Sequence, residues 1–220
     1  MHGFIPHGHG TPIVAQYDAR MGDIARSAVK LAKGDALVIV DVQNDFLHGG
    51  PLPVPRGDEV IYILNRYAAR FAREGLPVFA TRDWHPPNHC SFLEQGGPWP
   101  PHGVADSEGA QLAPALRLPS DTVIVSKGTD AGREAYSGFA SSELAALLER
   151  KGVKRLFIGG LATDYCVLNT VVDALGCGFA VFLLVDAIRA VDVQPGDGDQ
   201  AVAAMTSAGA VRLRLEELSG

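Results

Sequence analysis

The sequence predicts an α/β fold, a three-layer sandwich in which a mostly parallel, six-stranded sheet carries helices on both faces. Short apolar runs alternate along the chain with longer segments of helical periodicity, a pattern typical of strands joined by helical crossovers. Several of the runs are continuously apolar, as expected for strands that are covered on both sides. The length of 220 residues and the 47% hydrophobic content are sufficient for one such domain.

The apolar runs define the strands, and the amphipathic segments between them define the helices. Strands are expected near residues 36–41, 77–81, 122–126, 154–159, 179–185 and 210–213. Helices are expected near residues 57–75, 141–151, 166–176 and 197–208. The first helix ends at Gly75-Leu76-Pro77, and Ser141 or Ser142 is a suitable N-cap for the second.

Three of the predicted strands end in residues that can take part in catalysis. Asp41 closes the first strand, Lys127 closes the third, and Cys166 follows the fourth after Gly159-Gly160, near the start of a helix. Carboxyl ends of parallel strands share one edge of a sheet, where open α/β folds bind ligands. Taken singly, the residues also suit structural roles: a turn aspartate, a surface lysine and a buried cysteine.

Together these residues suit nucleophilic catalysis. An aspartate can act as the base for a cysteine, and a nearby lysine is expected to keep both the carboxylate and the thiolate charged. The helix N-terminus next to Cys166 should favour the thiolate as well.

A fourth segment carries candidate metal ligands. Asp83 and His85 flank Trp84 after the second strand, so in an extended stretch both side chains face the same side. His102 follows in a proline-rich segment. One carboxylate and two imidazoles suit Zn²⁺, Fe²⁺ or Mn²⁺, although such residues also occur in ordinary loops.

The ordered motifs of this chain resemble those of the nicotinamidases, within the isochorismatase-like cysteine hydrolase superfamily. The family carries D-x-Q-x-D-F, S-K-G and G-x-A-T-x-Y-C segments, which match the segments of Asp41, Lys127 and Cys166. The resemblance runs from about residue 36 to about residue 213. It implies a hydrolase that converts nicotinamide to nicotinate and ammonia through a Cys166 thioester. Pyrazinamide would be a second substrate and NAD salvage the role.

The resemblance also implies the metal site. The D-W-H and W-P-x-H motifs place the ligands at Asp83, His85 and His102, with zinc as the first choice and iron or manganese as alternatives. His89 is either a further ligand or a loop residue that hydrogen-bonds nearby. The alternative function is that of a related amidase acting on another small carboxamide or carbamoyl compound, and this metal set argues against it.

Further residues of the site follow from the same resemblance. Backbone N–H groups of Ala162 and Cys166 would form an oxyanion hole, and the Leu161–Ala162 peptide would be cis. Asp45 and Asp164 are expected to fix loops through backbone hydrogen bonds. The substrate-binding residues implied are Phe46, Trp99, Tyr136, Leu161 and Ala162. The three aromatic residues among them also suit core packing.

Composition argues against several other classes of partner. A formal charge of −6 without a basic stripe disfavours nucleic acid and anionic membrane surfaces. The chain lacks an apolar run of about 18 residues and an N-terminal apolar segment, so neither a transmembrane helix nor a signal peptide is expected. Three cysteines, Cys90, Cys166 and Cys177, make no disulfide framework and favour a reducing cytoplasm.

Residues 1–35 are predicted to form an N-terminal extension, and residues 36–220 the hydrolase domain. The extension is rich in histidine, glycine and proline at its start and weakly helical from Asp18 to Lys33. Because the resemblance does not cover it, we expect it to pack on a neighbouring subunit of a homo-oligomer.

Overall fold

The central sheet of the computed structural model lies within the part of the chain that it describes, residues 28–140 and 142–219. The strands, in chain order, are β1 (Val29–Lys30), β2 (Asp35–Val40), β3 (Val78–Asp83), β4 (Val123–Lys127), β5 (Arg155–Leu161), β6 (Ala180–Arg189), β7 (Val211–Leu213) and β8 (Leu218–Ser219). Six of them form one sheet in the order β4-β3-β2-β5-β6-β7, and every neighbouring pair is parallel. Strands β1 and β8 form a separate parallel pair.

Helices cover both faces of this sheet, which confirms the predicted sandwich. They are α1 (Glu59–Arg73), α2 (Ser142–Arg150), α3 (Leu168–Gly176) and α4 (Asp197–Ser207). Alternate residues of β2 point into two separate cores: Leu37 and Ile39 pack with the buried face of α1. Ala36, Val38 and Val40 pack with the cluster that contains buried residues of α2, α3 and α4.

Most predicted boundaries agree with the structure to within a few residues. The main difference is β6, which continues to Arg189 beyond the predicted end near residue 185. Most of the segment from Asp18 to Lys33, predicted to be weakly helical, lies outside the described residues. The described end of that segment contains strand β1 and no helix. Ser141, one of the two predicted N-caps, also lies outside the described residues. No helix in the described ranges is long and apolar enough to cross a membrane.

The sheet brings the candidate residues to one edge. Asp83 and Lys127 are direct partners across β3 and β4, and Val40, which precedes Asp41, pairs with Gly160 of β5. Gly160 has a φ of 127°, and a Cβ atom there would lie 2.1 Å from the carbonyl oxygen of Val40. Only glycine therefore allows β2 and β5 to approach this closely just before Asp41 and Cys166.

Candidate active site

Lys127 is the centre of a buried group of charged side chains. Its Nζ lies 2.9 Å from Oδ2 of Asp41 and 2.5 Å from Oδ1 of Asp83, and it donates to Sγ of Cys166 at 3.3 Å. A further hydrogen bond to the carbonyl oxygen of Ala135, at 3.2 Å, completes its surroundings. The lysine thus connects the three side chains at the carboxyl edge of the sheet.

Asp41 is held in place by its neighbours but keeps one oxygen accessible to a proton. Thr81 donates from Oγ1 to Oδ1 of Asp41 at 2.7 Å. Oδ2 is paired with Lys127 by charge, without an aligned hydrogen bond from any described residue. Ligand atoms of Asp41, Asp83 and Cys166 all lie within 4.8 Å of one another. A carboxylate oxygen of Asp41 therefore lies close to Sγ of Cys166.

Burial decides the ionisation of Cys166. It raises the pKa of the thiol well above its usual value; Lys127 acts in the opposite direction without offsetting it. Burial therefore favours the thiol, in opposition to the effect expected from the lysine and the helix terminus. Burial also raises the pKa of Asp41, against the lowering effect of Lys127. A carboxylate with a raised pKa is better matched to taking and returning a proton near neutral pH.

The pKa shifts of the other two side chains, Lys127 and Asp83, favour their charged forms. Burial alone would lower the pKa of Lys127, but Asp41 and Asp83 raise it well above its usual value. Burial would raise the pKa of Asp83, yet Lys127 and His85 outweigh this and the net pKa lies below its usual value. The site therefore combines a permanent cation and anion with two groups, Asp41 and Cys166, that can exchange a proton.

Cys166 lies in a single π-helical turn, Thr163–Val167, that leads directly into α3. Such turns occur often at functional sites because they place a side chain out of the ordinary helical register. The preceding Leu161–Ala162 peptide is cis, as the resemblance implied. Ala162 and Cys166 both line the adjacent cavity.

Asp83, His85 and His102 form a group of metal-type donors whose ligand atoms lie within 4.8 Å of one another. Nδ1 of His85 lies 2.8 Å from the carbonyl oxygen of Gly128, and Nδ1 of His102 lies 2.8 Å from that of Pro100. A carbonyl can only accept, so both Nδ1 atoms donate and each neutral ring keeps a lone pair on Nε2. This donor set fits a divalent metal ion such as zinc.

The S-K-G motif explains how His85 is oriented. Gly128 has a φ of 64°, and a Cβ atom at this position would lie 2.2 Å from Cε1 of the His85 ring. Any larger residue would push the imidazole away from the carbonyl that orients it. The role of Gly128 is therefore to leave space for the ring of His85, one of the metal donors, and not to position Lys127.

His89 lies beside the donor group but outside it. Its ring stacks on His85 with centroids 4.0 Å apart, and both of its nitrogens have protein partners. Nδ1 lies 2.7 Å from Oγ of Ser91, and Nε2 lies 3.1 Å from the carbonyl oxygen of Arg133. Of the two expectations for this residue, the geometry favours the hydrogen-bonding loop residue.

A cavity beside these groups encloses about 400 Å³, including its open mouth. Cys166 lies on its wall together with Asp83 and His102, so the thiol and the metal donors face the same space. Most of the lining side chains are apolar or aromatic, which suits a small organic ligand. All five predicted substrate-binding residues line it: Phe46, Trp99, Tyr136, Leu161 and Ala162.

Sequence reasoning missed Tyr165, which also lines the cavity. Its ring packs edge-on against Trp99 with centroids 5.0 Å apart and contacts Tyr136 at 5.5 Å. Nε1 of Trp99 donates to the hydroxyl of Tyr136 at 3.0 Å, so the three rings form one aromatic wall. The tyrosine next to the cysteine in the family motif was the available signal.

Three further side chains support the site through hydrogen bonds to the backbone. Gln43, fully buried, accepts from the N–H of Asp83 and donates to its carbonyl oxygen, both at 2.8 Å. The sequence analysis assigned it no role. Asp164 accepts from the N–H groups of Val191 and Asp192, and Asp45 accepts from that of Gly103, which confirms the loop-fixing roles expected for both.

Comparison with known proteins identifies the family of this chain. Residues 35–217 match the model of the isochorismatase domain family. The chain belongs to the isochorismatase family. Within this family it is 38% identical over 203 residues to the nicotinamidase of Escherichia coli (strain K12), covering 83% of this chain and 95% of that protein.

Two solved structures also resemble this chain. The pyrazinamidase of Pyrococcus horikoshii in complex with zinc is 47% identical, with a TM-score of 0.79 over 83% of this chain and 99% of that one. PnC1 of L. infantum in complex with nicotinate is 38% identical, with a TM-score of 0.81 over 87% and 98%. The fold is therefore that of isochorismatase-like proteins.

Proposed function

We propose that this protein is an amide hydrolase that converts nicotinamide to nicotinate and ammonia. The observation that carries the proposal is that one small cavity is bordered by both the Cys166 thiol and the Asp83–His102 donors. The nicotinamidase of E. coli and the structures of relatives with zinc and with nicotinate support it. Pyrazinamide, a second small aromatic carboxamide, fits the same cavity.

The residues of this chain act in two stages. Asp41 accepts the proton of Cys166 as Sγ attacks the carboxamide carbon, and the N–H groups of Ala162 and Cys166 stabilise the oxyanion. Asp41 then gives the proton to the amide nitrogen, which leaves as ammonia from a Cys166 thioester. Asp41 next takes a proton from a water molecule that attacks the thioester, and returns it to Sγ as nicotinate leaves. Lys127 keeps Asp41 oriented and offsets negative charge throughout.

Asp83, His85 and His102 would hold one divalent metal ion. We propose zinc, because the donor set suits it and the P. horikoshii relative is in complex with zinc. When bound, the ion would supply a Lewis acid for the pyridine nitrogen and so help to orient the ring. The aromatic wall of Trp99, Tyr136 and Tyr165 would contact the ring of the substrate.

Location and assembly belong to the proposal as well. Cys90, Cys166 and Cys177 are all free thiols, which supports a reducing compartment such as the cytoplasm. We propose a role in NAD salvage, consistent with the named relatives. The homo-oligomer and the packing of the N-terminal extension stay predictions from the sequence.

Comparing nicotinamide with benzamide tests the proposed function. Benzamide has the same shape but lacks the ring nitrogen, so it leaves the metal ion without its ligand. We expect kcat/KM for benzamide to be lower by about 100-fold or more, measured as ammonia release by the zinc-loaded protein. Pyrazinamide, which retains a nitrogen at the same position, is the control. Equal rates for benzamide and nicotinamide would remove the assigned role of the metal site.

A further inference from the structure

The hydrogen bonds of His89 fix the tautomer of its ring and remove it from the set of metal donors. The carbonyl oxygen of Arg133 can only accept, so Nε2 of His89 carries the proton and donates it. Nδ1 then accepts, from the hydroxyl of Ser91 at 2.7 Å and from its backbone N–H at 3.3 Å. The imidazole is fully buried and has no lone pair left for a metal ion.

The partner of His89 belongs to the loop of residues 128–140, which we call the β4–α2 loop. This loop supplies the carbonyl of Ala135 to Lys127 and the ring of Tyr136 to the cavity. His85 bonds to the loop at Gly128, while His89 bonds to it at Arg133. The two imidazoles are stacked with an interplanar angle of 23°, and together they attach the loop at two points, Gly128 and Arg133.

We propose that His89 is a positioning residue that sets the β4–α2 loop against the metal site. Through Arg133 it places Ala135 and Tyr136, two and three residues further on, relative to Lys127 and the substrate cavity. Its stacked ring also limits the rotation of His85. His89 therefore influences how substrate is held without touching substrate or metal. The effect on substrate rests on the proposed function, whereas the effect on the loop does not.

Replacement His89→Phe tests this role, because phenylalanine keeps the stacked ring and removes all three hydrogen bonds of the imidazole. We expect KM for nicotinamide to rise about tenfold, since the carbonyl of Arg133 loses its donor and the loop that carries Tyr136 loosens. Zinc affinity and the visible absorption of the Co²⁺-loaded protein should not change. Asn88→Ala, an exposed neighbour in the same segment, is the matched control and should behave as the unmodified protein.

Trypsin cleavage after Arg133, which is exposed, measures the loop without reference to activity. His89→Phe should be cut several-fold faster there than Asn88→Ala, as expected for a loop that opens locally more often. If the unmodified protein does not hydrolyse nicotinamide, the proposed function fails, and this cleavage still decides the positioning role. Ser91→Ala removes only the hydroxyl partner of His89, so it should change KM and cleavage in the same direction by a smaller factor.

Two results would overturn the inference. A changed Co²⁺ spectrum or a large loss of zinc affinity in His89→Phe would make His89 a metal ligand. Cleavage and KM equal to those of Asn88→Ala, in both His89→Phe and Ser91→Ala, would remove its positioning role. Ser91→Ala, a smaller change, also provides the decisive comparison should His89→Phe fail to fold.

Discussion

Replacement of Cys166 by alanine is expected to lower kcat for nicotinamide by about 10⁴-fold or more while leaving the protein folded. The thiol is the nucleophile of the proposed reaction, and no other described cysteine or serine faces Asp41 and Lys127 at the cavity. Cys→Ala removes one buried sulfur atom next to Lys127 and keeps the small size of the side chain. Ammonia release under saturating nicotinamide measures the effect.

The exposed Cys177 provides the matched control for this change. It lies just after α3, whereas Cys166 precedes that helix, and it faces solvent instead of the cavity. Cys177→Ala should retain full activity, so any general effect of losing a thiol would be detected. Ammonia release by Cys166→Ala at a rate close to that of Cys177→Ala would show that the nucleophile is a different group.

Replacement of Lys127 by methionine should reduce both stability and activity, because the lysine neutralises two buried carboxylates. Met keeps the length of the side chain but leaves Asp41 and Asp83 without their cation. We expect the free energy of unfolding of the metal-free protein to fall by about 3–5 kcal/mol, as when one partner of a buried pair is removed. Activity should fall by about 100-fold or more, since the charge that orients the base is lost.

Urea unfolding followed by circular dichroism measures the change in stability. Lys151→Met, at an exposed position after α2, removes the same charge from the surface and should alter the free energy of unfolding by about 0.5 kcal/mol or less. Equal stability of the Lys127 and Lys151 variants would contradict the buried three-charge arrangement. It would mean that Asp41 and Asp83 are neutral in the folded protein.

The sequence was sufficient to predict the fold and the place of the site, for a physical reason. Asp41, Asp83 and Lys127 each stand at the end of an apolar run, and the carboxyl ends of parallel strands must share one edge. Asp83 and Lys127 are accordingly partners across β3 and β4. Periodicity of 3.6 residues in the predicted helices was equally clear, since each helix buries only one stripe.

Other properties depend on three-dimensional surroundings that no local pattern contains. The sequence placed Lys127 near Cys166 but could not weigh its charge against burial, and burial is the larger effect on the thiol pKa. The two hydrogen bonds between the side chain of Gln43 and the backbone of Asp83 join residues that are 40 positions apart. The tautomer of His89 is set by the carbonyl of Arg133, 44 positions away. The motif alone therefore left the role of His89 open.

The most direct measurement for the whole account is ammonia release from nicotinamide by the purified protein, before and after removal of metal by a chelator. The account predicts rapid release that is lost on chelation and restored by Zn²⁺, because Asp83, His85 and His102 border the cavity of Cys166. Restoration by Fe²⁺ or Mn²⁺ alone would keep the site and change the metal. Absence of release by folded, zinc-loaded protein would contradict the proposed function.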